Sequence, residues 1–152
     1  MSGRRYAFQY AVLRAVPRVD RGEFVNIGVI LYCQQLELLR AAVAVDEVRL
    51  RALDPEVDLD AVRTAALATV GACHHGVGSA RENAGLATRF GMLVAPRSTV
   101  VQPSPVHAGI SEDPEQTLVD LMSRLVGPTR SVSNDQVSNA PVSDLLGTDP
   151  PG

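Results

Sequence analysis

Tyr6, Phe8, Tyr10 and Val12 recur at every second position, so residues 6–16 predict a strand with one aromatic face, ended by Pro17. Residues 17–23 form a turn-rich connector holding two Arg and two acids. Residues 24–33 are nearly all apolar and rich in β-branched side chains, which predicts a central strand buried on both faces. Gly28 inside that run marks a bulge or the close approach of another backbone. Gln34 and Gln35 break the pattern, and residues 36–45 return as an Ala-rich third strand that completes an antiparallel meander.

The period then changes. Asp46 caps a short helix that runs to Leu53; a strand through Val48 and Leu50 is the alternative. Leu59, Val62, Ala66, Thr69/Val70 and Cys73 fall on one stripe of a helix over 58–74, which Gly76 and Gly78 end. Residues 79–90 hold a further short helix and its exit. Residues 91–94 and 98–102 predict two short strands separated by Ala95-Pro96-Arg97. Asp113-Pro114-Glu115-Gln116 reads as a capping box with Pro at the first helical position. The helix it opens buries Leu118, Leu121, Met122 and Leu125 and stops at Gly127-Pro128. Strands first, then helices, then two strands and a last helix describe an α+β domain. The expectation is an antiparallel sheet of about five strands with helices packed on one face, in a single domain over 1–128. Ser, Asn, Asp, Pro and Gly dominate 129–152 without periodicity, which predicts a disordered tail.

Composition narrows the function. A 45% hydrophobic chain of 152 residues can bury a core without metal or disulfide staples. Cys33 and Cys73 are the only cysteines, too few for a disulfide framework or a Cys-based zinc site. The net charge of −3 argues against a broad nucleic-acid footprint, and 4% aromatic content supplies a base-stacking platform poorly. All 14 basic residues are Arg, which GC-rich codon usage explains ahead of selected phosphate binding. The first residues lack a signal-peptide pattern, and the run over 24–33, interrupted by Asn26, is too short to span a bilayer. A cytoplasmic protein without a membrane segment is expected. No phosphate loop, dinucleotide fingerprint, nucleophile elbow or zinc-protease helix motif occurs, so no cofactor is implied.

The candidate chemistry gathers in residues 97–109. Arg97 can take a phosphate or carboxylate bidentately, Ser98, Thr99, Gln102 and Ser104 can orient it, and His107 is placed to move a proton near neutral pH. Pro103 and Pro105 stiffen the segment that presents them. The plainer reading is a surface charge followed by turn residues. A second group is Arg14, Arg18, Arg21, Glu23 and Asn26. Asn26 within an apolar strand needs a hydrogen-bond partner, so Glu23 and Asn26 either wall a polar pocket or serve the connector, with Arg18 and Arg21 paired to Asp20 and Glu23. Cys73-His74-His75 does not make a metal site, because neighbours on a helix point about 100° apart.

Tyr10-Ala11-Val12-Leu13-Arg14 through Pro17-Arg18, Gly22-Glu23-Phe24-Val25-Asn26-Ile27-Gly28-Val29, and then Pro96-Arg97-Ser98-Thr99 with Pro103-Ser104-Pro105-Val106-His107 resemble a family of small bacterial domains of unknown function. The resemblance covers residues 6–126. It transfers no catalytic residue or cofactor. It implies a bacterial cytosolic protein often encoded beside a HipA-like kinase, and so a partner or accessory role.

Three functions follow from these readings. One is an accessory or binding module, with a kinase-like protein as its partner. Another is an enzyme or binding protein for a phosphorylated small molecule or nucleotide, acting through Arg97–His107. The third is a nucleic-acid accessory role for Arg4, Arg5, Arg14, Arg18 and Arg21, which the acidic balance disfavours.

Overall fold

The aromatic alternation and the apolar run pair with each other. β1 (Tyr6–Ala15), β2 (Val25–Cys33) and β3 (Leu38–Val43) form the antiparallel meander expected of them. The chain is described by a computed structural model that covers residues 3–75 and 85–127. Two further strands line the outer side of β1: β4 (Val101–Pro103) along Leu13–Ala15, and β5 (His107–Ser111) along Tyr6–Tyr10. Among the described residues the result is a five-stranded antiparallel sheet with four α-helices, an α+β fold.

Gly28 meets both expectations set for it. Leu13 faces Gly28 but Arg14 faces Asn26, so Ile27 is the extra residue of a bulge. A Cβ on Gly28 would stand 2.6 Å from the Ala42 carbonyl oxygen on β3. The bulge also shifts the alternation of β2. Ile30 shares one face of the sheet with Val25 and Ile27, and Val29, Leu31 and Cys33 lie on the other.

A strand that is apolar on both faces needs cover on both. On one face Ile27 and Ile30 pack with Leu50 of α1 (Glu47–Leu53), the Leu59, Val62, Ala66 and Cys73 stripe of α2 (Leu59–His75), and Phe90 and Leu93 of α3 (Leu86–Leu93). On the other, Phe8, Val29, Leu31 and Cys33 pack with Leu118 and Leu121 of α4 (Pro114–Leu121) and with Met122 and Val126 of the π-helical turn Met122–Val126. The helices are therefore divided between the faces instead of gathered on one.

Three local expectations change. Residues 91–94 are the end of α3, not a strand, because Phe90 and Leu93 use a helical spacing of three to reach the core. The strand expected over 98–102 shortens to β4, and residues 107–111, for which the pattern predicts no element, form β5. The capping box is half formed. The Asp113 carboxylate accepts from the Gln116 N–H at 3.1 Å, while Gln116 turns to Asp120 and the Ser111 hydroxyl accepts from the Asp113 N–H. Asp46 caps α1 by accepting from the Arg49 N–H, which removes the strand alternative there. The end of α2 at Gly76 and Gly78, the start of the helix expected over 79–90, and the tail over 129–152 lie outside the described residues. No helix among the described residues is long and apolar enough to cross a membrane.

Candidate binding site

The aromatic face of β1 ends in a cation. Tyr6, Phe8, Tyr10, Val12 and Arg14 alternate onto the side covered by α4. Arg14 is paired on one side with Asn26 of β2 and on the other with Gln102 of β4, so the three form one cross-strand row. The bulge is what makes the row polar: with an unbroken register Ile27, not Asn26, would face Arg14.

The row is held in place around two open atoms. The Asn26 Nδ2 donates to the Leu125 carbonyl in the π-helical turn at 3.0 Å, which fixes the orientation of the amide. Its Oδ1 is left buried with no partner. The Arg14 guanidinium lies over the Phe24 ring, 4.2 Å from the centroid, and its Nε is likewise buried and unpartnered. Gln102 is steadied by donating its Nε2 to the Thr99 carbonyl at 2.9 Å, and the Thr99 hydroxyl donates to the Val101 carbonyl at 2.7 Å. An unmet buried donor or acceptor costs roughly 1–3 kcal/mol. A ligand group that accepts from Nε–H and donates to Oδ1 would relieve both at once.

The other residues singled out in the sequence fall elsewhere. Arg97 is exposed and donates to the Met92 carbonyl at 2.8 Å, closing the C-terminal end of α3. Ser98 is exposed. Glu23 pairs with Arg21, and Arg18 lies 3.6 Å from Asp20, all on the surface of the connector. Ser104 is 2% exposed and its polar atoms serve β1: its N–H donates to the Val12 carbonyl, its hydroxyl accepts from the Val12 N–H at 2.8 Å and donates to the Pro105 carbonyl. His107 stands on β5 opposite Tyr10, the rings 5.2 Å apart. Arg14 lies four steps along β1 from Tyr10, about 13 Å at ~3.3 Å per residue. Residues 97–109 are thus strung along the outer side of β1 and do not converge.

Arg14 and Asn26 are brought together, and Gln102 joins them from the other group. Phe24 was missed as a site residue; its place two residues before Asn26 gave no sign that its ring would support a cation. Among the described residues no group of three His, Cys, Asp or Glu side chains is placed to hold a metal. The Cys73 thiol is buried, and burial pushes its pKa up to about 12 against the opposing pull of the Arg89 guanidinium. A shallow cleft of about 520 Å³ at the far end of the sheet is lined by Gln9, Tyr32, Gln34 and Gln35 and carries no charge. Its Gln residues are exposed, where water satisfies them.

Residues 10–126 match a family described as a protein of unknown function, DUF3037. No curated protein and no solved structure matches the chain.

Proposed function

We propose that the chain, which belongs to the DUF3037 family, is an accessory binding module that grips an anionic group through Arg14, Asn26 and Gln102. The observation that carries this reading is that two residues paired across β1 and β2 each leave a buried polar atom unpartnered, Arg14 Nε and Asn26 Oδ1. A phosphoryl group with one oxygen protonated, or a phosphate next to a hydroxyl, offers the acceptor and the donor that the two atoms lack. Arg14 can bind but cannot move a proton at neutral pH, so the row alone is a grip and not a catalytic centre.

The bacterial, cytoplasmic setting and the HipA-like kinase partner implied by the family resemblance belong to this proposal, as does a single domain over 1–128. The enzyme reading, with Arg97 clamping an anion and His107 as general acid or base, draws less support, because Arg97 closes the end of α3 while His107 stands on β5 opposite Tyr10.

Thermal unfolding with inorganic phosphate, nucleotides and sugar phosphates tests the grip. Ligand at a hundred times its dissociation constant adds about 2.7 kcal/mol. Stabilisation is expected in the wild type and in His107→Ala, and is expected to vanish in Arg14→Met. Stabilisation by no anion overturns the proposal, and so does stabilisation that survives Arg14→Met. Co-purification with a HipA-like kinase from the native host tests the partner separately.

A further inference from the structure

We infer that β5 is the contact through which two copies of this chain join edge to edge into one continuous sheet. β5 is an outer strand, paired with β1 on one side and with nothing on the other among the described residues. Every second residue of such a strand turns its N–H and C=O away from its partner, so a row of main-chain groups faces outward. Natural sheets blunt edges of this kind with charge, proline, a bulge or a covering element.

The rest of the sheet is blunted in these ways and β5 is not. β4, in line with β5 along β1, ends in Pro103, and Pro105 follows. At the opposite edge β3 carries Arg40, paired with Glu115, and packs against α2. His107-Ala108-Gly109-Ile110-Ser111 contains no proline, carboxylate or Arg, and its register with β1 has no bulge. Ile110 is 70% exposed.

A second copy fits this edge because the strand is complementary to itself when reversed. Antiparallel pairing about Gly109 places glycine on the two-fold axis, Ala108 opposite the partner's Ile110, and His107 opposite the partner's Ser111. Small meets large, an imidazole meets a hydroxyl, and no like charges oppose. One step further out, Glu112 meets the partner's Val106, so the flanking carboxylates do not face each other. Each Ile110 would be covered by the partner's Ala108, in the isologous arrangement usual for two-fold dimers.

Sedimentation velocity of the full chain over a wide concentration range tests this contact. A dimer is expected for the wild type, and a monomer for Ile110→Lys and for Ala108→Lys. Both positions are exposed, so each variant should keep the wild-type circular dichroism and melting behaviour. Amide exchange over 107–111 should slow as the protein dimerises. A wild type that stays monomeric overturns the inference, as does a dimer that persists in both variants or leaves those amides unprotected. Arg14→Met should dimerise like the wild type, which separates this contact from the anion grip.

Discussion

The ring of Phe8 lies across Gly109, its cross-strand partner, so closely that a Cβ on Gly109 would stand 2.5 Å from the ring Cζ. An aromatic ring laid over an edge glycine fills the space the missing side chain leaves. The ring has little room to retreat, since Phe8 packs with Val29, Leu31 and Leu118 in one of the two cores. Gly109→Ala should therefore destabilise by about 1–3 kcal/mol, the usual range for overpacking, measured by urea denaturation. Phe8→Leu in the same chain should return part of that loss, because the two positions are coupled through contact. Strictly additive effects would mean that the ring is not the cause.

Ser104 fills the gap between β4 and β5, where the chain steps away from β1. At that point the Val12 N–H donates to the Ser104 hydroxyl instead of a carbonyl. Ser104→Ala leaves this N–H buried without an acceptor, at a cost of about 1–3 kcal/mol. The Val12 amide should exchange faster, and phosphate binding should be unchanged. Loss of binding without loss of stability would give Ser104 a ligand role instead.

The meander, α2 and α4 were legible because a period of two or of 3.6 ran through at least three core contacts in each. β5 was not, since His107-Ala108-Gly109-Ile110-Ser111 has no alternation of its own and owes its extended form to the free side of β1. Residues 91–94 misread for a related reason: four apolar-rich positions fit either period, and only the burial of Phe90 with Leu93 decides for a helix. The site was half legible. Asn26 stood out as a polar residue in an apolar strand, but its pairing with Arg14 depends on a one-residue bulge, and that of Gln102 on where β4 docks. Arg97 and His107 misled because short sequence separation suggests convergence, whereas an extended strand carries neighbours apart.

Arg14 sets stability against function. Its Nε is buried without a partner, so replacing the side chain by an apolar one of similar length removes a desolvation cost. The stacking of the guanidinium on Phe24 is lost in exchange, about 0.5–1 kcal/mol at a partly exposed site. Arg14→Met should leave the unliganded protein as stable as the wild type or slightly more so, while abolishing stabilisation by phosphate. A marked loss of stability in denaturant would instead make Arg14 a structural residue.

Cys73 gives the fold a dependence on alkaline pH. Its thiol sits in the core at the end of α2, where burial raises its pKa from 9.0 to about 12, opposed by Arg89, which donates to the Cys73 carbonyl at 3.1 Å. The native state therefore holds this proton more tightly than the unfolded chain does. Below about pH 9 both states are protonated and the contribution is complete. Between about pH 9 and 12 only the unfolded chain releases the proton, so stability falls as pH rises, by at most about 1.4 kcal/mol per pH unit. Cys73→Ala is less stable than the wild type at pH 8 because it leaves a cavity, but it lacks this proton. The difference between the two urea midpoints should hold up to about pH 9 and then shrink as the pH rises towards about 10.5. A constant difference would show that the thiol ionises in the folded protein as readily as in the unfolded chain.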